Sequence, residues 1–143
     1  MNRVLFSSKS DLWETPIDLF DSLNSEFHFD LDPCSTDFNC KCLNHFTELD
    51  DGLSKDWLCN CAFVNPPYSR VKDWVLKCFE NQKNLICRSV LLVPARTDTS
   101  WFHDYIYKNP YCEIRFLRGR LKFGGSKNSA PFPSMVVVFN LPF

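Results

Sequence analysis

Glycine is scarce in this chain: four of 143 residues, none before Gly52, beside nine prolines. Any glycine-based signature must therefore be sparse. No apolar run is long enough to cross a bilayer, which excludes a membrane-spanning helix. Met1 to Ser10 is polar and lacks the apolar stretch of a secretory signal peptide, so the chain reads as intracellular and cytoplasmic. A charge of one sign is missing too. The formal net charge is -1 and the pI about 6.3, which excludes a strongly basic nucleic-acid-binding module at the level of the whole chain. Local clusters remain, and Arg115, Arg118, Arg120 and Lys122 form one. Internal repeats, low-complexity stretches and linkers are also absent.

What is present is the material of a core. Hydrophobic residues make up 45% and aromatics 15%, with fourteen Phe and four Trp, a globular composition at a length that suits one domain. Eight Cys are many for an intracellular chain. Cys40-Lys41-Cys42 and Cys59-Asn60-Cys61 raise the question of zinc, but the spacing is Cys-x-Cys and not the Cys-x-x-Cys of zinc ribbons. Reduced thiols also serve as small buried hydrophobes, and no metal site is expected.

Helical and strand patterns alternate along the chain. Thr15-Pro16 opens a helix in which Thr15 is expected to cap and Ile17, Leu19, Phe20 and Leu23 form the apolar face. Phe27 to Asp32 alternates apolar and polar residues as a strand does, and Pro33 ends it. Asp50-Asp51-Gly52 is a turn signal. Cys61 to Val64 is a short apolar run that stops at Asn65-Pro66-Pro67-Tyr68. Two prolines cannot continue a sheet ladder, so the tetrapeptide lies on a loop at the strand's end. Val71, Trp74, Val75, Cys78 and Phe79 then fall at helical spacing. Ser89 to Val93 and Met135 to Phe139 read as strands, the first buried on both faces; residues 99–108 read as a helix and Glu113 to Leu117 as a strand that Gly119 interrupts before Leu121-Lys122-Phe123. This alternation predicts an α/β domain with a mixed, mostly parallel sheet. Ligands in such sheets bind beyond the carboxyl ends of the strands, so Asp32-Pro33-Cys34 and Asn65 to Tyr68 should face one crevice.

Asn65-Pro66-Pro67-Tyr68 carries the most chemistry. An aromatic amino nitrogen is a poor nucleophile because its lone pair is delocalised into the ring. Two acceptors set against its two N–H bonds favour the geometry in which the lone pair points at an electrophile. Asn65 offers its side-chain oxygen and Pro66 its carbonyl, held rigidly by the Pro-Pro restraint. Tyr68 offers a ring for stacking a base that has left its duplex. Read plainly, Pro-Pro is only a turn; the apolar run before it and the amphipathic helix after it favour the chemical reading.

On these residues the chain resembles the phage-type Dam-like DNA N6-adenine methyltransferases, over nearly its whole length from Asp11 to Asn140. The resemblance implies a single-domain Rossmann-like fold with helices on both faces of the sheet. It also implies S-adenosylmethionine as cofactor and methyl transfer to the exocyclic amino group of a flipped adenine in DNA. It makes Asn65, Pro66, Pro67 and Tyr68 the catalytic residues. Trp13-Glu14-Thr15-Pro16 resembles the family's N-terminal cofactor motif, which brings Trp13, Thr15 and Pro16 to the methionine end of the cofactor. Phe29 to Cys34 is similar to the family's first cofactor motif, where Asp32, Pro33 and Cys34 are the candidates, and neither has the Gly-rich loop of many methyltransferases. Asp51-Gly52-Leu53 followed by Trp57 resembles the segment flanking the cofactor's adenine, which adds Asp51 and Leu53. Pro94-Ala95-Arg96-Thr97 and Gly119 to Phe123 complete the match. There Phe123 is the candidate to sandwich the base, and Arg120, Lys122 and Arg96 to meet phosphate; the plainer alternatives are a core Phe and a solvated charged face.

The expected partner is duplex DNA, with no membrane, and an open oligomeric state. A separate target-recognition domain has no room, so residues 34–60 and 118–133 are the candidate reading loops. If the chain is phage-encoded, its compartment is the host cytoplasm. The alternatives are a methyltransferase for RNA adenine or protein glutamine, whose amino groups pose the same lone-pair problem, a catalytically silent DNA-binding module, and a zinc-organised domain.

Overall fold

A computed structural model of the chain describes residues 14–124 and 128–143. Trp13 and part of the second candidate reading loop, residues 125–127, lie outside them.

Among the described residues, four strands form one mixed sheet: β1 (Cys61–Val64), β2 (Arg88–Pro94), β3 (Cys112–Phe116) and β4 (Ser134–Phe139), in the order β1-β2-β4-β3. β1 runs parallel to β2, with Cys61 opposite Arg88 and Val64 opposite Leu91. β4 lies between β2 and β3 and is antiparallel to both. Three of the four strands thus share one direction, but two of the three ladders are antiparallel, and the expected mostly parallel sheet is mixed. β2 and β4 are the apolar runs of the sequence, and every residue of β4 is buried. A strand covered on both faces has no reason to alternate.

Among the described residues, three α-helical segments accompany the sheet: α1 (Ile17–Phe27), α2 (Val71–Lys83) and the single turn α3 (Ser100–Phe102), which continues as a π-helical turn over His103–Tyr107. Thr99 caps α3, its hydroxyl accepting from the Phe102 N–H at 3.4 Å. Alternate strand residues divide the core in two. Ala62, Val64, Leu91, Val93, Met135 and Val137 cluster with Val71, Trp74, Val75 and Cys78 of α2. Cys61, Phe63, Val90, Leu92, Val136 and Val138 cluster with Phe20, Leu23 and Phe27 of α1. Phe63 meets Phe20 edge-on at 5.2 Å and Phe29 at 5.1 Å. Each such buried ring is worth about 1.5–3 kcal/mol of transfer free energy. α1 is also tied to β3 by a bidentate pair, Arg115 donating to Glu26 at 2.7 and 2.6 Å.

Two local expectations are corrected. α1 extends through Phe27, because Phe20, Leu23 and Phe27 fall on one helical face, and the alternation that reads as a strand from Phe27 is in part the end of that helix. His28 closes it in the left-handed region (φ 53°), donating to the Asn24 carbonyl at 2.9 Å. What remains of the strand is two isolated parallel bridges, Leu31 to Ala62 of β1 and Asp32 to His45. Thr15 is not the cap of α1: Pro16 holds that position, and no side chain among the described residues caps the helix.

Leu31 runs parallel to Ala62, and β1 runs parallel to β2. Asp32-Pro33, Asn65-Pro66 and Pro94-Ala95 therefore leave the sheet at the same end.

Candidate active site

β1 delivers Asn65 to the crevice, and the backbone turns at once. Pro67 is extended (φ -62°, ψ 137°), Tyr68–Arg70 forms a 3-10 turn, and α2 starts at Val71. Pro66 is buried and Asn65 half-buried. The Asn65 side-chain N–H2 donates to the Thr15 hydroxyl at 2.9 Å. That bond joins the end of β1 to the residue before Pro16, fifty positions away in sequence. Thr15 itself is 3% exposed.

Tyr68 is half-buried in an aromatic group. Its ring meets Phe132 edge-on at 5.0 Å and Phe123 at 6.4 Å. Burial raises the pKa of its phenol, against the positive charge of the nearby Arg96. Arg96 is exposed on the turn that follows β2, where its N–H donates to the Pro94 carbonyl at 2.8 Å. Phe123 is buried with Phe132 and Tyr68, so the candidate base-sandwiching ring backs onto Tyr68 within the α1-side core.

The segment Asp32 to Cys34 meets the segment Asp51 to Leu53 at Pro33 and Gly52. Gly52 is buried, and a Cβ at that position would collide with the Pro33 carbonyl oxygen and reach the Trp74 ring at 3.1 Å. Trp57 holds this approach, its indole N–H donating to the Gly52 carbonyl at 2.9 Å and its ring lying 6.1 Å from that of Trp74. Asp51 is exposed and left-handed (φ 56°), and Leu53 and Cys34 pack on the core beside it. Asp32 is 3% exposed, and its carboxylate accepts the Lys41 N–H at 2.8 Å. Burial pushes its pKa up to about 6, against backbone hydrogen bonds from Lys41 and Cys34 and the charges of His45 and Lys41.

A third segment closes the ring. The Gly124 N–H donates to the Glu14 carbonyl at 2.8 Å, and the Glu14 carboxylate lies 3.9 Å from the Lys41 ammonium. Leu121 to Gly124 carries no strand; Gly119 turns the chain at φ 73°. This segment brings Arg120 and Lys122 to the surface, both exposed.

Comparison with known proteins gives the family. A family model described as DNA N-6-adenine-methyltransferase (Dam) matches residues 4–141. The chain belongs to that family. It is similar to the DNA N-6-adenine-methyltransferase of Haemophilus phage HP1 (strain HP1c1), with 30% identity over 139 residues, 92% of this chain and 80% of the relative. It is also similar to the DNA N-6-adenine-methyltransferase of Escherichia phage T1, with 32% identity over 96 residues, 66% of this chain and 40% of the relative. The resemblance to phage-type Dam-like enzymes is thus borne out.

Within this Dam-family chain, Asn65 and Thr15 are joined directly, Tyr68, Phe123 and Arg96 form a second group, and Asp32 to Cys34 with Asp51 to Leu53 a third. Sequence reasoning missed Lys41, which fixes Asp32, and Phe132, which backs Tyr68. Neither stands in a motif, and only the path of the loops brings them in. Cys61, Cys78 and Cys87 are buried in the core, and the other five cysteines are half-buried. All eight are free thiols, and among the described residues no three His, Cys, Asp or Glu side chains are placed to hold a metal ion. Burial raises the Cys42 pKa to about 12 and that of Cys61 to about 11, so both are protonated at neutral pH.

Proposed function

We propose that this crevice binds S-adenosylmethionine beside a flipped adenine of duplex DNA and that Asn65 and Pro66 activate the adenine amino group for methylation. The protein is an adenine-specific DNA methyltransferase, as its family is. The observation that carries the mechanism is the Asn65 amide, held by its nitrogen on Thr15 at the end of β1, which leaves the oxygen for the acceptor role proposed.

The chain's own residues supply most of what the chemistry asks. The Asn65 oxygen and the Pro66 carbonyl accept the two N–H bonds of the adenine amino group, which turns the nitrogen lone pair out of conjugation. Tyr68 stacks on the base, with Phe123 and Phe132 behind it, and repays part of the cost of unstacking it from the duplex. No general base is needed before transfer, because the methylated nitrogen becomes acidic and releases its proton to solvent. Arg96, Arg120 and Lys122 meet backbone phosphates.

The residues fit the cofactor. Gly52 lets its loop close directly on the Pro33 carbonyl, and Asp32, just before Pro33, supplies a buried carboxylate as a polar anchor for that wall. Asp32, Pro33, Cys34, Asp51 and Leu53 would hold the cofactor, with Pro16 at its methionine end; Trp13, the other candidate there, lies outside the described residues. When bound, the cofactor supplies a methyl carbon on a sulfonium sulfur, an electrophile that needs no activation by the protein. The reading takes the chain as a single-domain Rossmann-like methyltransferase, supported by separate core clusters for α1 and α2. Residues 34–60 and 118–133 would then read the duplex, and the enzyme would work in the cytoplasm, that of the host if phage-encoded. No helix among the described residues is long and apolar enough to cross a membrane.

The test is methyl transfer from radiolabelled S-adenosylmethionine to unmethylated duplex DNA, with RNA and protein as parallel acceptors and nucleoside analysis of the product. Label recovered as N6-methyladenine in DNA is expected. Label in RNA or protein alone would replace the substrate, and no label would refute the reading.

A further inference from the structure

We propose that Thr15 is a positioning residue for the methyl-transfer step, acting through the side-chain amide of Asn65. The proposal rests on the assignment of Asn65 as an acceptor for the adenine amino group and adds the residue that holds it in place.

A threonine just before Pro16 at a helix start is ordinarily read as a cap, or here as a cofactor contact. The geometry gives its hydroxyl another partner. Pro16 is the cap residue of α1 and no side chain among the described residues caps that helix, so the Thr15 hydroxyl is not spent on the helix. It accepts the Asn65 N–H2 at 2.9 Å, from fifty residues away in sequence. Thr15 is 3% exposed, so this bond is screened from water and is worth more than a surface contact.

The need for such a bond follows from the asparagine. The terminal torsion of an Asn side chain is broad, and a rotation of the amide moves its oxygen off the line of the adenine N–H or replaces it by a repelling N–H2. Two acceptors work as a pair only when both are held against the same amino group. The Pro66 carbonyl is held by its backbone, and the Asn65 oxygen must be held by a neighbour. Thr15 suits that task because it is rigid in its own right. Its branched side chain has few rotamers, the following proline restricts its backbone, and the preceding Glu14 carbonyl is pinned by the Gly124 N–H at 2.8 Å. The same Gly124 follows Phe123, which lies against Tyr68. The amide that meets the edge of the base and the ring that meets its face are thus braced by one closed circuit, Glu14-Thr15-Asn65 and Tyr68-Phe123-Gly124.

The test separates transfer from binding. Wild-type protein is first shown to form N6-methyladenine in DNA, which secures the assignment beneath the proposal. Single-turnover methylation and S-adenosylmethionine affinity are then measured for Thr15→Val, Thr15→Ala and Thr15→Ser, with a thermal melt of each. Thr15→Val keeps the shape and removes the acceptor. It is expected to slow the single-turnover rate about tenfold to a hundredfold, the scale of a misplaced catalytic group, while cofactor affinity changes less than about threefold. Thr15→Ala should match it, because the loss follows the hydroxyl and not the volume. Thr15→Ser should recover to within about threefold of wild type. An unchanged rate in both Val and Ala variants would overturn the proposal. So would a rate loss matched by an equal loss of cofactor affinity, which would make Thr15 a cofactor contact only. If Thr15→Val does not fold, the Ala and Ser pair decides. Wild-type label on another acceptor would refute the substrate assignment alone, and the same three variants assayed on that acceptor would still judge Thr15. Wild-type protein that binds cofactor but methylates nothing would refute both.

Discussion

Asn65 and Asp32 are two polar side chains at strand ends, and their surroundings ask opposite things of them. Asn65 is neutral and hydrogen-bonded to Thr15. Removing it should leave the fold and the cofactor cleft standing. Asn65→Ala is expected to reduce methylation below detection while S-adenosylmethionine affinity, measured by calorimetry, stays within about threefold; an equal loss of both would reassign the residue to the cofactor. Asp32 is a carboxyl group whose burial raises its pKa from 3.8 to about 6. A folded value above the unfolded one means that the stability from this group is complete below about pH 3.8 and is lost as the pH rises through about 6. At pH 7.5 the ionised form therefore costs up to about 3 kcal/mol, since each tenfold change in an acid's dissociation constant is worth about 1.4 kcal/mol. Asp32→Asn should melt higher than wild type at pH 7.5, lose that advantage toward pH 4, and bind cofactor more weakly. A variant less stable at pH 7.5 would mean that Lys41 and Cys34 hold the carboxylate more firmly than its burial opposes it. The two residues also differ in how far the sequence makes them legible. Asn65 stands in a contiguous tetrapeptide and can be read directly. Its Thr15 partner cannot, because capping and cofactor binding both explain a threonine before a proline and nothing local marks a bond across fifty positions.

The strands and helices that fill the core are legible because burial writes a period into sequence. β2 and β4 are continuous apolar runs, and α2 carries its apolar face at helical spacing. The segment around Phe27 misleads because the last residues of a helix and the first of an alternating strand look alike when Phe27 and Phe29 are both apolar. The side of the crevice built by Gly52 is legible only as a turn; its close approach to Pro33 depends on where two loops cross. That crossing makes a sharp prediction. Gly52→Ala places a methyl group against the Pro33 backbone carbonyl and the Trp74 ring, neither of which can swing aside as a flexible side chain would. Overpacking of this kind costs about 1–3 kcal/mol. The variant should melt several degrees lower and lose more cofactor affinity than Asn65→Ala does, since it moves the loop carrying Asp32 to Cys34. Unchanged melting and unchanged affinity would show that the Gly52 and Pro33 loops yield freely and do not form a wall of the cofactor site.

The chain has almost no net charge to attract a polyanion. Its affinity for DNA must then come from a small basic face, and the number of phosphates it neutralises should be low. Arg96, Arg120 and Lys122 are exposed on turns that follow β2 and β3, beside Tyr68 and Phe123. Each phosphate neutralised on duplex DNA contributes about -0.9 to the slope of log affinity against log salt, so three give about -2.7. That is shallow for a DNA-binding protein, and it predicts that binding outlasts moderate salt better than that of a strongly basic module. Fluorescence anisotropy of a labelled duplex over a salt series measures it. Changing Arg96, Arg120 and Lys122 together to Ala should bring the slope near zero and weaken binding at low salt, with cofactor affinity unchanged. A wild-type slope steeper than about -5 would require more cations than this face holds, and would draw Lys41 and Arg118 into the footprint. A slope that the triple variant leaves intact would place the duplex on another surface altogether, and the three side chains would be an ordinary solvated face.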